Sequence, residues 1–341
     1  MRLIHPLAGS RFATAMRLLA AHGGVAPAAT PAVAVMAASH GLRYLSCELE
    51  IRRARRRAVG AAPMPDPVFV LGHWRSGTTL FANLMSFDED FFFPTLVEAV
   101  SPHDFFPSPL ERLSRRWLPL LFPETRPMDG VRVPLRRNSP QEDEMALAAL
   151  GQPSFFNALY FPSCAQETIA REVFFDGLTA GEVARWCEVQ HGFIRKLALL
   201  NPGRTPLVKN PAHAARLGPL HETYPNARFI LLKRNRADVI TSMRRLFERL
   251  WPMLALQRHD PRTIPGLVDE THERMRQRIE RDWPLLPADS RIEVRFDDLV
   301  SDPLATVCDV QQRLHRPVTE THAGAIARYM AENSPVTDRA A

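Results

Sequence analysis

The chain has 341 residues, 45% of them hydrophobic and 23% charged, which excludes a disordered protein and suffices for one large α/β core or two modest ones. Its formal charge of +6 favours anionic ligands, nucleic acid or an anionic membrane surface without choosing among them. Cys47, Cys164, Cys187 and Cys308 are scattered, with no CxxC pair and no Cys/His cluster at metal-ligand spacing, so the expectation is a reduced, cytoplasmic chain without disulfide framework or structural zinc.

In chain order, residues 24–39 are apolar but built mostly of alanine, interrupted by Pro27 and Pro31, and followed by Arg52, Arg53, Arg55, Arg56 and Arg57. The stretch is too short and too weakly apolar for a spanning helix, and it starts too far from Met1 for a signal peptide. Residues 1–65 therefore read as a helical, basic lead-in able to rest peripherally on the inner membrane face, with 58–66 as linker. After it, Pro67 to Gly72 is a continuous apolar run of the kind a buried parallel strand shows. Helical spacing follows from Thr78 to Phe87, and the Pro-punctuated region 88–200 is mostly helical in pattern, as in 142–150 and 182–200. Strand signals return at 205–209, 227–233 and 291–296, with helix-like stretches at 212–223, 236–250 and 303–314. Strands alternating with helices predict an α/β fold, a central parallel sheet with helices on both faces.

Between the first strand and its helix stands Gly72-His-Trp-Arg-Ser-Gly77-Thr78-Thr79. Two glycines five positions apart let backbone N–H groups turn inward toward an anion at a helix start. A nucleoside-triphosphate site places Lys directly after the second Gly; here Thr78 occupies that position and the cation has moved forward to Arg75. The segment Arg75-Ser76-Gly77-Thr78-Thr79 resembles the 5′-phosphosulfate loop of sulfotransferases that use 3′-phosphoadenosine 5′-phosphosulfate (PAPS). A second segment, ending in Lys233-Arg234 and continuing to Ser242, is similar to that family's 3′-phosphate site, an Arg at a strand end and a Ser eight residues later. Asp238 reads as a structural residue near the helix start. Lys209-Asn210-Pro211 and Arg295-Phe-Asp-Asp-Leu299 extend the resemblance over about 66–315, closest to a bacterial branch whose loop reads Gly-His-Trp-Arg-Ser-Gly-Thr-Thr.

The resemblance implies a P-loop-like three-layer fold over 66–320, with an acceptor-site insertion at 88–200 and a tail at 321–341. It implies sulfuryl transfer from PAPS, without a metal, to the hydroxyl or amine of a small-molecule, lipid or glycan acceptor. Nucleic acid is not among the expected partners. Arg75, Ser76, Gly77, Thr78, Thr79, Arg234 and Ser242 are then the donor-binding residues, and Arg75 and Lys209 stabilise the leaving oxygen. The Lys-Thr-His segment with which cytosolic relatives supply a His base corresponds here to Lys209-Asn210-Pro211, with no His in place. A carboxylate is the alternative, with Glu142 of Pro140-Gln-Glu-Asp-Glu144 ranked before Glu98, and His213 as fallback. Three adjacent acids at 142–144 are expected to raise one another's pKa. Thr125-Arg126-Pro-Met-Asp129 also matches the bacterial branch, without a mechanism attached. The competing readings are a nucleoside-triphosphate-dependent kinase or NTPase and a non-enzymatic basic membrane- or nucleic-acid-associated protein. Phe91, Phe92, Phe93, Phe105, Phe106, Phe155 and Phe156 suit core better than an apolar acceptor site.

Overall fold

A computed structural model describes residues 5–107 and 139–333. The Thr125–Asp129 segment lies outside the described residues. The strands are β1 (Val68–Gly72), β2 (Phe91–Phe92), β3 (Thr205–Lys209), β4 (Arg228–Lys233) and β5 (Arg291–Arg295). They form one parallel sheet in the order β2-β3-β1-β4-β5, with Val70 opposite both Lys209 and Ile230. Among these, β2 has no counterpart in the sequence reading, because two phenylalanines cannot show an alternating pattern; it exists by pairing with Thr205 and Pro206.

The helices used below are α1 (Phe12–Ala21), α2 (Thr30–Ala58), α3 (Thr78–Met85), α4 (Leu96–Val100), α5 (Asp143–Ala149), α6 (Phe155–Tyr160), α7 (Ala165–Glu172), α8 (Ala180–Ala198), α9 (Leu217–Thr223), α10 (Arg236–Leu254), α11 (Ile264–Asp282), α12 (Phe296–Ser301), α13 (Pro303–Arg313) and α14 (Glu320–Asn333). β1, β3 and β4 read as largely apolar runs because both faces of the sheet are covered there, whereas the edge strand β5 alternates buried and exposed residues. Alternate residues of β1, Val68 and Val70, pack with Phe81 of α3, Val310 of α13 and Ile326 of α14. Phe69 and Leu71 face the opposite way, toward Trp186, Phe193, Phe247 and Met275 of α8, α10 and α11.

Two expectations are corrected. Pro31 does not break the N-terminal stretch: it occupies the first turn of α2, where a missing N–H costs nothing, and the helix runs 29 residues. Residues 321–333, read as tail, are most of α14, tied down where Tyr329 Oη accepts from Asn83 Nδ2 at 2.9 Å. Of the phenylalanines, Phe91, Phe92, Phe105, Phe106, Phe155 and Phe156 are buried in core. The lead-in is docked as well, since Leu7, Ala15 and Leu18 belong to the same core cluster as the sheet and Ala26 N–H donates to Leu256 O at 2.8 Å. Among the described residues, no helix is long and apolar enough to cross a membrane.

Candidate active site

The loop leaves β1, the central strand, at its carboxyl end, where neighbouring strands depart in opposite directions and a crevice opens. Two glycines there are required by sterics. A Cβ on Gly72 would sit 2.6 Å from Leu232 O, and one on Gly77 would sit 2.5 Å from the Phe296 ring. Gly77 also has φ +100°, and Arg75, a non-glycine, is held at φ +72°. That left-handed turn costs about 1–3 kcal/mol and aims the Arg75 side chain across the crevice to α10.

There Arg75 Nε donates to Ser242 Oγ at 2.8 Å, and Arg234 Nη1 donates to the Arg75 carbonyl at 3.0 Å. The two motifs, far apart in sequence, thus converge on one loop. The Arg234 guanidinium lies 4.1 Å above the Phe296 ring, the ring that also closes on Gly77. Arg295-Phe-Asp-Asp-Leu299 carries family resemblance, but no signal in one sequence marks Phe296 as the residue joining the two motifs. Among the described residues, Ser76 Oγ and Arg234 Nε are buried without a hydrogen-bond partner. A glycine-bounded turn with a cation at each side, an unspent hydroxyl and one unspent guanidinium N–H fits an anionic ligand. Both residues also line a cavity of about 500 Å³ reaching past His73 to Met275, Ile279 and Trp283. Asp238 sits in the first turn of α10, 4.0 Å from Arg234 Nε, and Arg236 opens that helix at the cavity wall.

On the other side of β1, Lys209 ends β3. Its side chain is fully buried and Nζ donates to Glu142 Oε1 at 2.8 Å, while Glu142 stays 21% exposed. The acidic triplet does not behave as the sequence suggests. Its three carboxylates diverge at the start of α5, each to its own partner. Asp143 Oδ2 meets His213 Nε2 at 3.0 Å, and Glu144 receives Arg216 Nη1 and Nη2 at 2.8 and 3.0 Å, every one of these side chains being fully buried. Burial alone would push the Asp143 carboxyl up, but His213, with hydrogen bonds from Gln190 and Asn210, outweighs it and holds the group below its usual range. The expected mutual elevation is therefore overturned for Asp143, because each acid has a closer partner than its neighbour acid.

Asn210 organises this arrangement. Its Nδ2 donates to Asp143 Oδ1 at 2.8 Å and Glu144 Oε2 at 2.7 Å, while its Oδ1 accepts from Ala212 N–H at 2.9 Å. One amide thus clamps the end of β3 to the start of α5 and sets Lys209 against Glu142. Neither Asn210 nor Arg216 is marked for such a role in the sequence, since both act on residues more than sixty positions away.

Glu98 lies on α4, which packs on α5, and is buried; its Oε2 accepts from Thr95 N–H at 2.9 Å and from the Thr95 hydroxyl, a capping box. His213 is closed in by Phe69 and Trp186 and wholly inaccessible, so the fallback base has no path to an external hydroxyl.

A central parallel sheet flanked by helices, with a glycine-bounded loop after its central strand, is the P-loop-like class of α/β fold. The chain belongs to the Sulfotransferase family, whose model matches residues 67–320, and it is a bacterial-type enzyme catalysing sulfuryl transfer. It is 27% identical over 282 residues, 82% of this chain and 70% of the relative, to the omega-hydroxy-beta-dihydromenaquinone-9 sulfotransferase Stf3 of Mycobacterium bovis, and equally to that of Mycobacterium tuberculosis. Two solved structures share the fold. Sulfotransferase STF9 from Mycobacterium avium has a TM-score of 0.70 at 16% identity, over 91% of this chain and 78% of its own. Sulfotransferase STF1 from Mycobacterium tuberculosis has a TM-score of 0.66 at 17% identity, over 93% and 85%.

Proposed function

We propose that the chain moves the sulfuryl group of PAPS onto a hydroxyl of a lipid-like acceptor, using Glu142 as base. The observation that carries the donor assignment is the meeting of Arg75, Ser242, Arg234 and Phe296 at one glycine-bounded loop. PAPS supplies the sulfuryl group, joined to a 5′-phosphate that leaves, and carries a separate 3′-phosphate. Arg75 and Ser76 to Thr79 cradle the 5′ end, the backbone turn presenting amides and the α3 N-terminus its positive end. Arg234 and Ser242 hold the 3′-phosphate by charge-assisted hydrogen bonds. Lys209 offsets negative charge building on the leaving oxygen, and Glu142, the exposed member of the triplet, takes the acceptor proton. Glu98 is the second candidate, on the helix packed against α5.

The acceptor class rests on the relatives, whose name specifies a hydroxylated dihydromenaquinone, a hydroxyl on an apolar molecule. The test is calorimetric titration with 3′,5′-ADP and with ADP. The two phosphate sites require clearly tighter binding of 3′,5′-ADP; equal affinity would return the chain to the nucleoside-triphosphate class. Extracts of cells with and without the gene, compared for sulfated lipids, then identify the acceptor.

A further inference from the structure

The structure assigns a second function to α2: we propose that its outer face docks the protein on the surface of an anionic lipid bilayer. This goes beyond the reading of the active site and does not depend on it, since no residue of the loop or of the acidic network takes part.

The solvent side of α2 has an unusual order of residues. Positions 31, 34, 38, 42, 45 and 49 follow the three- and four-residue helical spacing and are exposed, and they are Pro31, Ala34, Ala38, Leu42, Leu45 and Leu49. Leu42 is 82% exposed and Leu45 72%, although leucine normally supplies the inward stripe of a surface helix. Tyr44, 64% exposed, is a further uncovered aromatic side chain on α2. The charged residues of this part of α2 are paired within the protein, Arg43 and Glu50 on its inward side. Arg43 pairs with Asp104, Glu48 with Arg11, and Glu50 with Lys196. The outer face from 31 to 49 is therefore apolar for about 27 Å at 1.5 Å per residue.

Then the character changes at one point. Arg52, Arg53, Arg55 and Arg56 are all exposed, and among the described residues none of them forms an ion pair. An apolar stripe continuing into unpaired guanidinium groups on one rigid helix complements a bilayer surface, acyl region beneath the leucines and anionic phosphates against the arginines. A second copy of the chain is a poorer occupant. Side by side and parallel, it would bring two arginine clusters together; antiparallel, it would set each cluster against the partner's alanines. Since α2 is not apolar enough to span, it lies on the surface.

The full chain is floated with vesicles of phosphatidylcholine alone and of equimolar phosphatidylcholine and phosphatidylglycerol. The proposal requires binding to the mixed vesicles, weakened by salt, and little binding to phosphatidylcholine. Leu42→Glu with Leu45→Glu should lower association roughly tenfold or more, while the melting temperature holds because both side chains are already in water. Leu42→Ser with Leu45→Ser is the milder pair and should lower it in the same direction. Arg52→Ala with Arg53→Ala and Arg56→Ala should remove the preference for phosphatidylglycerol. No flotation of the parent, or leucine variants that float as well as it does, would overturn the proposal. So would a dimer, seen by sedimentation, that the leucine changes dissociate.

Discussion

Lys209 and Glu142, 67 positions apart, form an ion pair of 2.8 Å at the carboxyl end of the sheet, its lysine wholly buried and its carboxylate reaching solvent. A buried ammonium needs a counter-charge, and Glu142 supplies one. Glu142→Gln keeps the shape and removes the base. Donor affinity, read with 3′,5′-ADP, is expected to survive within a few-fold while turnover falls by about a hundredfold or more. The parallel variant Glu98→Gln loses a helix-capping carboxylate and should lower the melting temperature more than turnover. The opposite pattern moves the base to Glu98.

Arg234→Ala removes a charged contact to the distant phosphate, which feels little change during transfer. Donor affinity should weaken roughly ten- to a hundredfold, corresponding to about 1.5–3 kcal/mol, with turnover at saturating donor close to that of the parent. Ser242→Ala should weaken binding too, but it also frees Arg75 Nε, so its turnover should fall further than that of Arg234→Ala. Steady-state kinetics at varied donor separates the two effects.

Gly77→Ala tests the loop. The added methyl would lie 2.5 Å from the Phe296 ring, at a φ of +100° that alanine rarely adopts. The loop must shift, and binding of 3′,5′-ADP should be lost beyond tenfold. Pairing it with Phe296→Ala removes the clash but not the φ penalty, so only partial recovery is expected.

Acid should destabilise the fold well before its carboxylates titrate. Burial, against a bond to Leu254 O, lowers His5 to about 4; burial likewise lowers His73 to about 4, against a bond to Trp74 O and with help from His272. Their unfolded value is near 6.5. Between pH 6.5 and 4 the unfolded chain therefore binds more protons, so stability rises with pH and is lost as pH falls. The slope is about 1.4 kcal/mol per pH unit for each such histidine. Urea denaturation across this window should show it, and His5→Gln should flatten it by close to one proton. A stability curve level from pH 6.5 to 4 would contradict the burial of both rings.

Much of this protein is written locally. Continuous apolar runs announce β1, β3 and β4 because both faces of the sheet are buried, and residues 72–79 declare an anion loop because glycine spacing and an adjacent helix are neighbours in sequence. The Arg234–Ser242 spacing is equally local, two turns of one helix beyond a strand. What no window contains is who meets whom. That Phe296 joins Gly77 to Arg234 follows from β5 lying beside β4, and that Lys209 finds Glu142 follows from Asn210 clamping β3 to α5. The triplet at 142–144 shows the difference most clearly. Its composition suggests mutual repulsion, whereas packing gives Lys209, His213 and Arg216 to one acid each, at about 3 Å, so that every carboxylate of the triplet has its own hydrogen-bonding partner. Likewise Pro31 and the leucines of α2 are visible in the sequence. Only the docking of the helix's other face, through Met36, His40 and Cys47, decides that those leucines point to solvent.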